Sequence, residues 1–142
     1  MNLVTSRDNP LVRQLRVLAR DNTAYRTQGL IWIEGDHLCR AALSRGVRPE
    51  QVVLSQGRLD EVEPELRNAA PRRTLLADRL FAEVSGLESP PPVGFLLALP
   101  AAPGPWLDQP GLVLDRVQDA GNVGSILRSA AAFGFRQVLA LK

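Results

Sequence analysis

Asn122 and Arg128 are the residues of this 142-residue chain best placed to do chemistry, because of the pattern that surrounds them. Leu112, Val113 and Leu114 form a short apolar run ending at Asp115, as a strand does. The polar stretch through Gln118, Asp119 and Gly121 reads as the loop at its carboxyl end. Val123, Ile126, Leu127, Ala130 and Ala131 then recur at helical spacing, with Asn122 expected as the N-cap and Gly134 as the glycine just past the end. Val138 to Leu141 resume a strand pattern, so the segment is a β-α-β unit. In open α/β sheets ligands gather at the carboxyl ends of strands, and a helix N-terminus offers free N–H groups to an anion. The loop from Asp115 to Gly124 is therefore the candidate site. Arg128 falls about 130° from the centre of the apolar stripe, so its guanidinium projects beside the packed face. An arginine there is ordinarily only solvated, and an asparagine at a helix start is ordinarily only a cap.

Upstream, the pattern alternates between strands and helices. Asn9-Pro10 suits an N-cap and first helical residue. Leu11, Leu15 and Leu18 then line one helix face, while Arg13, Arg16 and Arg20 line the other. Leu30 to Ile33 reads as a buried strand, Asp36 to Arg45 as a helix closed by Gly46, and Gln51 to Leu54 as a strand. Asp60 to Ala69 is helical in composition, Thr74 to Ala77 a strand, Asp78 to Ser85 a helix and Gly94 to Leu99 a closing strand. Such alternation predicts an α/β sandwich. Pro100 to Gly111 holds four prolines and two glycines, a composition for an extended linker. Trp106 within it either anchors the linker or stacks on a base.

Composition narrows the function classes. Hydrophobic residues make up 45% and charged residues 23%, as in an ordinary α/β protein. The net charge is only +2, yet from residue 1 to 26 Arg7, Arg13, Arg16, Arg20 and Arg26 face only Asp8 and Asp21. That local excess suits phosphate contact as well as a solvated helix face. The single cysteine, Cys39, allows no internal disulfide, and the single histidine, His37, rules out a histidine metal cluster, so no metal is expected. Neither a leader-like apolar core nor a membrane-length apolar run is visible, and a cytoplasmic protein is the expectation.

The stretch GNVGSILRSAAAFGF resembles the first signature motif of the SpoU (TrmH) family of RNA 2′-O-ribose methyltransferases. In that motif an Asn precedes an Arg by six positions at a loop-to-helix junction, here Asn122 and Arg128. The strand ending in Asp115, the Gln118-Asp119 pair, Gly121, Gly124 and the small run from Ala130 to Ala132 belong to the same likeness. The stretch from Ser6 to Leu43, with its basic helix and Glu34-Gly35 turn, is similar to the opening of ribosomal-RNA-directed members. AEVSGLESPPPVGFLLALP is similar to the end of their substrate-binding domain, with Pro92 and Val93 where a Pro and a Gln are usual.

The resemblance implies three segments. Residues 1–99 would be a small ribosomal-protein-like RNA-binding domain and 100–111 a linker. Residues 112–142 would be the first β-α-β unit of a knotted, Rossmann-like SPOUT methyltransferase domain. It implies methyl transfer from S-adenosylmethionine to a ribose 2′-hydroxyl, with ribosomal RNA the expected partner. Arg128 would lie at that hydroxyl and Asn122 would order the loop, while Arg7, Arg13, Arg16 and Arg20 would contact RNA. A guanidinium keeps its proton at neutral pH, so Arg128 would act through its charge rather than as a base. The family's cofactor pocket and homodimer surface belong to a carboxyl-terminal knot expected to be missing here. The chain is thus expected to be an amino-terminal piece that alone neither binds S-adenosylmethionine nor methylates RNA. Two other readings stand beside it: a non-catalytic RNA-binding protein, and a nucleotide-binding Rossmann-like enzyme. Against the latter, Gly121 and Gly124 do not complete G-x-G-x-x-G, and the only lysine, Lys142, is in no Walker motif.

Overall fold

Val52, Val53 and Leu54 are wholly buried, and a strand buried on both faces needs a layer of helices on each side. The computed structural model, which describes residues 1–101 and 108–141, has that arrangement in its first unit. The chain divides into two units, Met1–Pro100 and Ala101–Lys142. The first runs β1 (Asn2–Val4), α1 (Pro10–Arg20), α2 (Ala24–Gln28), β2 (Leu30–Glu34), α3 (Asp36–Ser44) and β3 (Gln51–Ser55). A 3₁₀ turn (Gln56–Glu61) follows, then α4 (Pro64–Arg67), β4 (Arg72–Leu76), α5 (Asp78–Val84) and β5 (Val93–Ala98).

The sheet order is β1-β4-β3-β5-β2. β1, β4 and β3 are parallel, while β5 runs antiparallel to both β3 and β2. Period-two alternation sends Val52 and Leu54 to one face, with Phe95 and Leu97 of β5, where Cys39 and Leu43 of α3 and Leu66 of α4 cover them. Val53 and Leu96 face the other way, onto Val12 and Leu15 of α1 and Leu80, Phe81 and Val84 of α5. Trp32 lies flat against β5 because Gly94 has no side chain; a Cβ there would sit 2.1 Å from the indole. The Trp32 ring also meets Phe81 at 6.3 Å between centroids.

Two expectations change on contact with the structure, and two short elements, β1 and α2, are added. Leu30 to Ile33 is half-buried, because β2 is the edge of the sheet. The segment 60–69 is not one helix: Pro64 starts a single α-turn after the 3₁₀ turn, since its ring suits a first helical position and not an interior one. β1 and α2 carry too few residues to show a period. The second unit holds β6 (Gly111–Asp115), α6 (Ala120–Ala132) and β7 (Gln137–Leu141), with β6 and β7 parallel. Gly134 has φ +83°, the left-handed position that closes the helix. Trp106 and Lys142 lie outside the described residues. No helix among the described residues is long and apolar enough to cross a membrane.

Candidate functional site

The site in the second unit is built by the end of β6, the loop after it and the first two turns of α6. Asp115 ends the strand. Arg116 then takes φ +50°, the only non-glycine among the described residues with positive φ. Its N–H donates to the Leu141 carbonyl at 3.2 Å, and its Nε meets Asp115 Oδ1 at 3.1 Å. α6 begins at Ala120, three residues earlier than expected, because Asp119 caps it: Asp119 Oδ1 accepts from the Asn122 N–H at 2.7 Å. Asn122 is therefore the third residue of the helix and not its cap. Gly121 leaves the carboxylate room, since a Cβ there would come within 3.2 Å of Asp119 Oδ1.

Arg128 is exposed and folds back toward the helix N-terminus, the direction in which helical side chains lean. Its Nη2 donates to Ser125 Oγ at 3.3 Å, and that hydroxyl donates to the Gly121 carbonyl at 3.0 Å. Nη1 lies over Gly124, 3.5 Å from where a Cβ would be. Asn122 and Arg128 stand about 120° apart around the helix, with Ser125 midway between them. The residue that steadies Arg128 is thus Ser125. Sequence reasoning missed it, although its i, i+3 offset to Arg128 was visible.

In the first unit the structure gathers three of the four proposed RNA-contacting arginines around one carboxylate. Arg7 Nε and Arg16 Nη2 meet Glu83 Oε2 at 2.9 and 3.2 Å, and Arg20 Nη2 donates to the Glu83 carbonyl at 3.4 Å. Arg13 is exposed, and Arg79 donates to the Thr5 carbonyl nearby at 3.2 Å. Several guanidinium groups thus share one glutamate along the α1–α5 seam, and positive charge remains on the surface. His37 is exposed. Cys39 is buried, and burial, followed by the nearby Asp36 charge, pushes its thiol up to about 12. Among the described residues no cluster of His, Cys, Asp or Glu stands ready to hold a metal ion.

S-adenosylmethionine needs partners for an ammonium, a carboxylate and an adenine edge. The hollow beside α6, about 360 Å³, is open and lined by Leu112, Ile126, Phe133 and Phe135, with Ser125 and Ser129 as its only polar side chains. The described residues do not fit that cofactor.

A strand, a glycine-bearing loop, a capped helix and a parallel second strand, preceded by an α/β sandwich with a basic seam, define a two-unit α/β protein. No protein-family model matches the chain. It is 32% identical over 139 residues to the uncharacterized tRNA/rRNA methyltransferase slr1673 of Synechocystis, a match covering 92% of this chain and 49% of that protein. An RNA 2′-O ribose methyltransferase structure superposes over 99% of this chain and 55% of its own, at TM-score 0.72 and 26% identity. A TrmH-family structure from Porphyromonas gingivalis does so over 94% and 51%, at TM-score 0.72 and 28% identity. The fold is also that of the SpoU methyltransferase AviRb from Streptomyces viridochromogenes, solved with AdoMet, at TM-score 0.76 and 24% identity over 93% and 52%. Across nearly all of its length the chain is similar to RNA methyltransferases, a TrmH-family structure among them. It spans about half the length of the curated relative it matches.

Proposed function

We propose that the whole protein transfers a methyl group from S-adenosylmethionine to a ribose 2′-hydroxyl of RNA, with ribosomal RNA the substrate. Relatives described as RNA methyltransferases along nearly all of this chain support the reading. The observation that carries it is the placing of Arg128. Its guanidinium is exposed, held by Ser125 and turned toward the loop at the carboxyl end of β6.

A ribose hydroxyl is a weak nucleophile until its proton is lost or strongly polarised. A fixed cation beside it stabilises the alkoxide as it develops and steadies the neighbouring phosphate. In this proposal Arg128 supplies that charge and Ser125 fixes its direction. Asn122, on the same exposed side of α6, meets the substrate from the other flank. Arg7, Arg13, Arg16 and Arg20 of the first unit hold the RNA backbone. The cofactor and the homodimer contact are assigned to parts of the whole protein beyond the residues described. The 142-residue chain by itself is expected to give no micromolar S-adenosylmethionine binding in calorimetry.

The test is made on cellular RNA. Deleting the gene should remove one 2′-O-methyl nucleotide from ribosomal RNA, read by mass spectrometry. The wild-type gene should restore it and a gene carrying Arg128→Ala should not. Unchanged ribose methylation after deletion would reject the proposal.

A further inference from the structure

A second hollow, about 320 Å³, opens on the first unit where the end of α1, α2 and the edge strand β2 meet. Leu18, Ile31 and Leu99 line it together with the aromatic residues Tyr25 and Trp32. Both aromatic side chains already have partners for their polar atoms. The Trp32 Nε1–H donates to Glu34 Oε1 at 2.9 Å, and the Tyr25 hydroxyl accepts from Arg26 Nε at 2.9 Å. What they offer the hollow is ring surface. The Arg26 guanidinium lies 5.5 Å from the centre of the Tyr25 ring and adds positive charge to that edge. Asn22 stands at the mouth, and among the described residues its amide has no hydrogen-bond partner, leaving a donor and an acceptor free. Asp21, also at the mouth, spends Oδ1 on the Thr23 hydroxyl and N–H, at 2.7 and 2.8 Å.

We propose that this hollow takes one unpaired nucleobase of the RNA substrate, stacked on Tyr25 and Trp32 and read along one edge by Asn22. The inference rests on the RNA reading above and adds a site to it. RNA-binding proteins select structured RNA largely by capturing bases splayed out of the helix, on aromatic faces with a few polar groups at the edge. Charge decides in favour of a base over an apolar protein side chain. Arg26 sets a guanidinium beside the Tyr25 ring, and Arg20 ends α1, the helix whose Leu18 lines the hollow. A phosphate on either side of the captured base would meet a guanidinium.

Three hairpin RNAs test the proposal with the full chain: one with a single bulged 2-aminopurine, one abasic at that position, and one fully paired. Stacking of one base predicts that the bulged RNA binds about tenfold tighter than either of the others. Its 2-aminopurine emission should fall on binding. Tyr25→Ala should bring the bulged RNA down to the affinity of the paired one and leave the paired one unmoved, while Tyr25→Phe keeps the preference. The comparison of the three RNAs on the wild-type chain needs no variant. Equal affinities for all three, or a preference that survives Tyr25→Ala, would overturn the pocket and leave the RNA reading standing. No binding of any hairpin at low salt would overturn both.

Discussion

In the proposed function Arg128 acts at the ribose hydroxyl, and its contribution there can be separated into charge and shape. Removing a preorganised cation from a developing oxyanion lowers turnover by about 10² to 10³. Arg128→Ala in the whole enzyme should show that loss in kcat for tritiated-methyl transfer. Arg128→Lys should recover about tenfold if charge is the main contribution, because an ammonium keeps the cation without the planar fork. Ser125→Ala frees the guanidinium from its one described partner and should lower kcat only severalfold. Cys39 offers a pH test. Its thiol is fully buried, and burial raises it from the ordinary range to about 12. The folded chain therefore holds this proton where the unfolded chain has lost it. The unfolded state binds fewer protons from roughly pH 9 upward, so stability is complete below that range and falls as pH rises toward about 12. Urea midpoints at about pH 8 and about pH 10 should differ in that direction, and Cys39→Ala should shrink the difference.

Glu83 joins the elements of the basic seam and keeps part of it neutral. Arg7 and Arg16 reach its carboxylate from the chain ahead of α1 and from α1 itself. Arg7 is mostly exposed, so the pairs are worth no more than about 1 kcal/mol to folding. Glu83→Gln should then leave the fold close to wild type, release two guanidinium groups, raise RNA affinity about threefold and steepen the salt dependence. An unchanged affinity in a filter-binding titration would mean the arginines serve the α1–α5 seam and not RNA. At the start of α6, Asp119→Ala should cost about 1 kcal/mol, because the Asn122 N–H loses its acceptor. The sequence made long periodic elements legible. Asn9-Pro10 starts α1, Gly46 and Gly134 follow α3 and α6 with positive φ, and of the apolar stripe of α6 Ala130 is buried and Val123 and Ile126 half-buried. It did not separate two possible caps three residues apart, because Asp119 and Asn122 are both good cap residues and only geometry chooses. It missed the Arg128–Ser125 contact and the Glu83 hub as well. The first is one polar pair among several on an exposed face, and the second joins residues 67 and 76 positions apart.

The whole molecule carries its apolar surface unevenly. The first unit encloses two cores, one on each face of a five-stranded sheet, and Phe81 and Phe95 are its largest fully buried side chains. In the second unit Phe133 is 81% exposed, and Val113, Phe135, Leu139 and Leu141 are also open to solvent. A two-stranded sheet with one helix buries too little apolar area to hold itself firmly, whereas a five-stranded sheet covered on both faces has enough. Stability should therefore reside almost entirely in residues 1–100. A chain ending at Pro100 should keep the urea midpoint of the full chain's main transition, with a smaller slope because less surface is exposed on unfolding. The hydrophobic dye ANS should bind the full chain and lose most of its emission with the shortened one, since the exposed side chains named above all lie beyond Pro100. A large fall in the midpoint would show that the second unit supports the first. Dye binding that survives the shortening would place the open apolar surface on the sandwich, where the hollow beside Tyr25 and Trp32 is the next candidate.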